Sequence, residues 1–159
     1  MSGAPTPEVR LSMPARAEGV SVVRQALSGV ADALDFDEAV VADMKMAVTE
    51  ACTNVVVHAY EQDEGMLEVD MLTAEDALTI AVRDHGAGIH PRNSARRTPA
   101  LGLGLPLIAA LSDAFELRGS SGEGTEVRMT FAYDRDSDPV ADNPVRGTVG
   151  VDGKWDPEA

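Results

Sequence analysis

Residues 49–60 read TEACTNVVVHAY, and this stretch decides the fold of the chain. Within it, Glu50, Asn54 and His58 recur at steps of four, which places all three on one face of a helix. Asparagine is a poor residue for a helix interior because its amide competes for backbone hydrogen bonds. Its side-chain oxygen suits Mg²⁺, and a glutamate one turn earlier can accept a proton from a nucleophile. An ordinary solvated polar stripe would have the same spacing.

Further along the chain, an apolar strand runs directly into Asp84-His85-Gly86-Ala87-Gly88-Ile89. A carboxylate at the end of a strand can accept a hydrogen bond from an exocyclic amine, and the glycines allow a ligand to approach the backbone closely. A plain glycine-rich turn is the alternative. The segment is not a dinucleotide fingerprint, since no G-x-G-x-x-G opens a helix within a βαβ unit, and the chain has no G-x-x-x-x-G-K-[ST] phosphate loop.

A second glycine-containing segment, Leu101-Gly102-Leu103-Gly104-Leu105, opens a short apolar helix predicted over Gly104–Ser112. Backbone N–H groups at the start of a helix can hold phosphate oxygens. Four potentially cationic side chains precede it within eight residues: His90, Arg92, Arg96 and Arg97. They would offset phosphate charge, although a solvated loop is an equal alternative.

The last motif, Gly122-Glu123-Gly124-Thr125, enters the final strand. A G-x-G-T sequence is a weak signal, because hairpin turns produce it often. A threonine hydroxyl at this position would bond a purine ring or the aspartate that recognises it.

The hydropathy pattern predicts an α+β fold. Three- and four-residue spacing indicates helices over Ala17–Leu34 and Glu38–Tyr60, the second with Val48, Ala51 and Val55 in the core. Alternating segments indicate strands over 8–13, 66–72, 77–84, 114–118 and 125–133. The element order β-α-α-β-β-loop-α-β-β favours a two-layer sandwich, with helices on one face of a mixed, mostly antiparallel sheet.

Composition divides the chain into three parts. Residues 1–7 are small and proline-rich, and we expect them to be disordered. Residues 8–133 carry the periodic elements and form one domain, as the chain length of 159 residues suggests. Residues 134–159 contain seven acidic and three basic residues, and Val149, Val151 and Trp155 are among their apolar residues. This acidic tail is expected to be disordered, and docking of Trp155 is the alternative.

Charge and cysteine content exclude several classes of function. The formal net charge is −14, which argues against a nucleic-acid binder and against docking on anionic lipid. The first seven residues have neither the basic nor the apolar region of a signal peptide. Cys52 is the single cysteine, so no internal disulfide is possible and nothing suggests a zinc cluster. A cytoplasmic protein without disulfides is therefore expected.

Together, in this order, the four motifs resemble the Bergerat-type ATP-binding fold shared by gyrase B, Hsp90, sensor histidine kinases and MutL. The E-x-x-x-N helix resembles its N box, Asp84-x-Gly-x-Gly its G1 box, Gly102-Leu103-Gly104 its G2 box and Gly122-x-Gly-Thr125 its final Gly-Thr element. The strongest resemblance is to the bacterial anti-sigma factor serine kinases of the RsbW and SpoIIAB type. It covers roughly residues 8–133 and includes the run from Thr49 to Tyr60.

The resemblance implies ATP and Mg²⁺ as cofactors and assigns roles to individual residues. Glu50 would be the base that accepts the proton of a partner's serine, and Asn54 would ligate Mg²⁺. Asp84, assisted by Thr125, would recognise the adenine amine, and the backbone of 102–104 would hold phosphates. The full set expected to bind ATP is Asn54, His58, Asp84, Gly86, Gly88, Arg97, Gly102, Leu103, Gly104 and Thr125.

The resemblance also implies protein partners. Members of the family phosphorylate a serine on a STAS-domain anti-anti-sigma protein, keep a sigma factor from RNA polymerase and often act as homodimers. Arg24, on the first helix, is a candidate contact for the sigma factor, although a solvated arginine is the simpler interpretation.

One departure affects the expected activity. Close members can carry an arginine two residues before the G-x-G of the G2 box, where this chain has Ala100. A cation there would stabilise charge during phosphoryl transfer. Arg96 or Arg97 would have to replace it by movement of the loop. Two alternatives therefore stay open: a partner-switching module that binds ATP without transferring phosphate, and a detached catalytic domain of a sensor histidine kinase.

Overall fold

The computed structural model describes residues 8–59, 65–86, 100–120, 123–133, 148–149 and 155–156. Its helices are α1 (Ala17–Ala33), α2 (Glu38–Asn54) and α3 (Ala100–Leu111), and the π-helical turn Val55–Ala59 continues α2. Its strands are β1 (Val9–Pro14), β2 (Met66–Thr73), β3 (Ala77–Asp84), β4 (Ala114–Ser120), β5 (Gly124–Ala132), β6 (Thr148–Val149) and β7 (Trp155–Asp156).

The first five strands form one sheet in the order β1-β2-β3-β5-β4. Every neighbouring pair in this sheet is antiparallel, with Leu11 opposite Val69 and Val82 opposite Val127. The α+β prediction is confirmed, and the sheet is antiparallel throughout rather than mixed. The order places β3 in the centre of the sheet, so its carboxyl end at Asp84 lies between β2 and β5.

The core lies between the inner face of this sheet and the helices. Alternate residues of the strands point into it, and α1 contributes side chains at four-residue steps, such as Val23 and Leu27, both fully buried. The predicted core residues of α2 are confirmed, since Val48, Ala51 and Val55 are all buried. Because both ends of α2 are held by this packing, the polar face of the helix has a fixed position above the sheet.

The outer face of the sheet carries a network of paired charges. Asp70 is buried there and accepts hydrogen bonds from Arg10 Nε at 2.9 Å and from Arg83 Nη2 at 2.5 Å. Arg83 also donates to Glu126 at 3.1 Å, and Glu126 accepts from Arg128 at 2.7 Å. Burial alone would raise the pKa of Asp70, but the two arginines outweigh it and hold that pKa below its ordinary value.

Two predicted helix boundaries are wrong. The sequence pattern predicts that the second helix runs to Tyr60, but α2 ends at Asn54 and a π-helical turn follows. The pattern places the start of the third helix at Gly104, but α3 begins four residues earlier, at Ala100. Within the described ranges, no helix combines the length and the apolar character needed to cross a membrane.

Four residues of the acidic tail are described. Thr148–Val149 and Trp155–Asp156 pair antiparallel as β6 and β7, with Val149 opposite Trp155. The sheet and helices of the main body lie within residues 9–132. The predicted boundaries at 8 and 133 stay predictions, and residues 1–7 lie outside the described part of the chain.

Candidate nucleotide site

Glu50 and Asn54 lie in the last turns of α2, where both are half-buried, and they meet the first turns of α3. A β-carbon placed on Gly104 would lie 3.2 Å from Nδ2 of Asn54, 3.5 Å from its Oδ1 and 3.5 Å from Oε2 of Glu50. The side chains of the two helices therefore converge, and the absence of a side chain at Gly104 makes the approach possible. A carboxylate and an amide oxygen thus lie beside one small gap.

Because α3 begins at Ala100, both of its glycines lie within the helix, and they have different environments. In a helix that begins at Ala100, the amide of Gly102 belongs to the first turn, whose N–H groups have no partner within the helix. Gly104 lies two residues further along α3 and is buried. Its visible contribution is therefore the space it leaves for Asn54 and Glu50. The expectation that Leu103 contributes a backbone contact to phosphate stays a prediction.

Asp84 forms the second part of the site, at the end of the central strand β3. Its side chain is buried, and Oδ1 accepts a hydrogen bond from the backbone N–H of Gly86 at 2.9 Å. Thr125 is its register partner on β5 and also donates its backbone N–H to the carboxylate. Burial raises the pKa of Asp84, while these two hydrogen bonds and His85 act in the opposite direction. The result is a buried carboxylate held in one orientation by backbone donors.

Gly124 holds Thr125 against Asp84. Its φ is +84°, a conformation that residues with a side chain rarely adopt. A β-carbon there would overlap the carbonyl oxygen of Asp84 and would lie 2.9 Å from its carbonyl carbon. Gly124 is not among the expected site residues, although the G-x-G-T motif contains the signal for it.

The position of His58 differs from the expectation. The four-residue step from Glu50 to Asn54 lies within α2, but the step from Asn54 to His58 crosses the π-helical turn. A π-helical turn holds more residues per turn than an α-helix, so a four-residue step across it is not the α-helical turn that the expectation assumes. Such turns are frequent at functional sites. A role of His58 in binding ATP stays a prediction.

Two of the expected residues, Gly88 and Arg97, lie outside the described part of the chain, as do all of the residues between Gly86 and α3. The structure thus brings Glu50, Asn54 and Gly104 together at the α2–α3 contact, and it separately groups Asp84, Gly86 and Thr125 at the end of β3.

Comparison with known proteins identifies the same family as the sequence motifs. Residues 13–131 match the model of the histidine kinase-like ATPase domain. The serine-protein kinase RsbW of a Bacillus cereus strain is 34% identical over 150 residues, which covers 87% of this chain and 92% of the relative. RsbW of Bacillus thuringiensis (strain Al Hakam) is 33% identical with the same coverage.

Two solved structures have the same fold. The crystal structure of the RsbU and RsbW domains of a Mycobacterium tuberculosis protein aligns with a TM-score of 0.60 and 23% identity, covering 80% of this chain and 32% of that one. The histidine kinase domain of a blue-light activated histidine kinase from Erythrobacter litoralis aligns with a TM-score of 0.51 and 16% identity, covering 82% and 66%. The family match spans most of the chain and contains both groups of site residues. The chain therefore belongs to the histidine kinase-like ATPase family and, within it, to the RsbW serine-protein kinases.

Proposed function

We propose that this protein is an ATP-dependent serine kinase and anti-sigma factor, which phosphorylates a STAS-domain anti-anti-sigma protein and sequesters a sigma factor. The observation that carries the proposal is the convergence of Glu50 and Asn54 on Gly104. It brings a candidate base and a candidate metal ligand to the beginning of α3, where backbone N–H groups favour an anion. Membership of the RsbW kinases supports the chemistry.

The residues of the site fit ATP and Mg²⁺. Asn54 offers an amide oxygen, the type of ligand that Mg²⁺ prefers, and the gap at Gly104 leaves room beside it. Mg²⁺ is commonly held by one or two protein oxygens together with substrate phosphates, so a single asparagine is sufficient on the protein side. When bound, ATP supplies the phosphoryl group and Mg²⁺ offsets its charge.

In this proposal Glu50 accepts the proton of the partner's serine hydroxyl. Its carboxylate is half-buried and lies one helical turn before Asn54, so it borders the same gap. A base must be within hydrogen-bond reach of the hydroxyl when the phosphate acceptor is positioned. Holding Glu50 on a helix whose inner face is buried on the core meets that need, because the helix cannot shift without disturbing the packing.

Asp84 and Thr125 recognise the base of the nucleotide. The backbone N–H groups of Gly86 and Thr125 fix the carboxylate, which accepts a hydrogen bond from the adenine amine. Gly88, Arg97, Gly102, Leu103 and His58 complete the nucleotide contacts in this proposal. The protein partners in this proposal are a sigma factor and a STAS-domain protein. The kinase itself acts as a homodimer in the cytoplasm. Neither nucleic acid nor a membrane is a partner.

One observation favours a second candidate function. Ala100 is the first residue of α3, and its methyl group cannot provide the positive charge that close relatives can have at this position. A module that binds ATP and switches partners without transferring phosphate would tolerate that change.

A phosphotransfer assay separates the two functions. The full chain is incubated with γ-labelled ATP, Mg²⁺ and the cognate STAS-domain protein, next to the Glu50→Gln variant, which keeps the shape of the side chain and removes its charge. Transfer to serine by the wild type, lost in the variant, is expected. Nucleotide-dependent binding of the partner without any phosphoprotein would favour the second function.

A further inference from the structure

A groove of about 570 Å³ lies between α1 and the end of α2, and none of the described nucleotide-site residues lines it. Thr53, which lines it, is the chain neighbour of Asn54, but consecutive residues of an α-helix point about 100° apart. The groove therefore lies on a different face of α2 from the gap at Gly104. It is a separate surface of the helical layer, distinct from the kinase site.

The walls of this groove combine apolar and cationic groups. Ala17, Val20, Val56 and Val57 supply the apolar part, and Val57 is 58% exposed, which is unusual for a large aliphatic side chain beside a concave surface. Arg24 and Lys45 supply two positive charges, and the described residues that line the groove include no carboxylate. In a chain with a net charge of −14, this is a locally basic and apolar surface. It fits an acidic segment that carries a large apolar side chain.

The acidic tail contains a segment of that kind. Residues 152–158 read DGKWDPE, so Trp155 has three carboxylates and one lysine within three positions on either side. A tryptophan has a large apolar area and is also attracted to cations over its ring. The groove and the segment are thus complementary in charge and in apolar character.

The pairing of β6 with β7 gives a separate reason for a docking surface. Each of these strands has two residues, and Val149 lies opposite Trp155. An isolated two-stranded hairpin is marginally stable in water and needs an apolar surface to pack on. Docking Trp155 into an apolar groove would supply that surface.

The tail also has the necessary reach. It leaves the sheet at Tyr133, whose ring lies 5.0 Å from that of Phe36, between α1 and α2. From Ala33 back to Ala17, α1 rises by roughly 24 Å at 1.5 Å per residue. The 22 residues from Tyr133 to Trp155 span up to about 70 Å when extended. The whole groove is therefore within range of Trp155 of the same chain.

We propose that the acidic tail, residues 134–159, docks in cis on the α1–α2 groove, with Trp155 between the valines and its flanking carboxylates on Arg24 and Lys45. The tail covers an otherwise exposed apolar surface and competes with any protein that binds there. This docking does not depend on phosphotransfer, so an experiment can support or contradict it independently of the proposed kinase function.

Tryptophan fluorescence of the full chain tests the proposal, because Trp155 is the only tryptophan. The wild type is expected to show blue-shifted emission and protection from acrylamide. The double variant Arg24→Glu, Lys45→Glu should show red-shifted emission and a several-fold larger quenching constant. High salt should move the wild type in the same direction, since the contact is partly ionic.

A control variant tests whether the change in Trp155 emission is specific to substitutions in the groove. Arg118→Glu reverses one charge, as each of the two substitutions does, on an exposed arginine of β4, which faces Glu116 on the sheet instead of the groove. It should leave the emission of Trp155 unchanged, and circular dichroism should confirm that all variants are folded. Emission equal to that of a free peptide of residues 134–159, or protection unaffected by the double variant, would overturn the proposal. Protection lost on dilution would also overturn it, because the tail would then belong to a second copy.

Discussion

The side-chain amide of Asn54 lies so close to Gly104 that a β-carbon on the glycine would be 3.2 Å from Nδ2. This contact joins two motifs that are 50 residues apart in the sequence. It explains why this position, which lies inside α3, is occupied by a glycine. The glycine is needed for the close approach of two helices, with a polar side chain between them.

Substitution of this glycine should disturb activity more than stability. Gly104→Ala adds a β-carbon that forces the amide of Asn54 to shift by a few tenths of an ångström and contacts Glu50, while alanine favours the helix. We expect the phosphotransfer rate to fall by about tenfold or more, because small displacements of positioned groups are costly in catalysis. Thermal unfolding should change little. Initial rates and unfolding midpoints check both parts.

Gly29→Ala is the control for this variant. Gly29 is also a helical glycine, on the exposed side of α1, and a β-carbon there would meet nothing within 4 Å. It should stabilise the fold by about 0.5–1 kcal/mol and leave the rate unchanged. Equal rates for the two variants would show that the space at Gly104 has no part in the reaction.

Neutralising Asp84 should reduce the recognition of adenine. Asp84→Asn keeps an oxygen for the N–H of Gly86 but loses the charge that strengthens a bond to the adenine amine. We expect ATP affinity to fall by about tenfold, the value of one hydrogen bond to a charged group, and the preference for ATP over GTP to shrink. Nucleotide titrations with both triphosphates measure this.

Asp113→Asn provides the comparison for Asp84. Its carboxylate also accepts a backbone N–H, from Ala132 at 2.8 Å, but it is exposed and lies at the opposite end of β5 from Thr125. The affinity of the Asp113→Asn variant for ATP should match that of the wild type. If Asp84→Asn likewise leaves both nucleotide affinities unchanged, the base of the nucleotide binds elsewhere.

The ion pairs on the outer face of the sheet should make the stability of the fold depend on pH in the acidic range. Asp70 has a lowered pKa because Arg10 and Arg83 donate to it. A lowered folded-state pKa stabilises the protein above the unfolded-state value of about 3.9, and this contribution is lost as the pH falls through the folded-state pKa. Asp70→Asn should therefore lose about 1–3 kcal/mol near neutral pH. The difference from wild type should shrink below about pH 4.

Denaturant titrations at several pH values measure this difference. The matched control is Glu116→Gln, which removes a carboxylate from an ion pair with Arg118 in which both side chains are at least half exposed. Such a solvent-exposed pair contributes little to stability, so this variant should stay near the wild type at every pH. A penalty for Asp70→Asn that stays constant far below the ordinary pKa of an aspartate would contradict the assigned pKa.

Much of the architecture was predictable because burial imposes a simple period on each element. The alternation of Leu67, Val69 and Met71 marks β2, and the four-residue steps through Val23 and Leu27 mark α1. The motifs identified the family because several polar and glycine residues recur at fixed spacing, a pattern that packing alone does not require. The proposed chemical roles of these residues stay predictions.

The errors occur where local signals conflict with tertiary contacts. Val55, Val56 and Val57 are β-branched and crowd a helix, yet hydropathy continues through them, so the pattern predicts an α-helix where the π-helical turn lies. Glycine is a poor helix former, which favours a helix start after Gly102 instead of before it. The contact of Gly104 with Asn54 and that of Gly124 with Asp84 arise only when distant segments meet.

If the N-box residue Asn54 helps to hold a metal-bound nucleotide, nucleotide binding should depend on both Mg²⁺ and this side chain. In a calorimetric test, ATP is titrated into wild type and Asn54→Ala, with and without Mg²⁺, after circular dichroism confirms that the variant is folded. Mg²⁺-dependent binding by wild type, lost in Asn54→Ala, is expected. Tight Mg²⁺-dependent binding by the variant, or no binding by wild type, would contradict this role of Asn54.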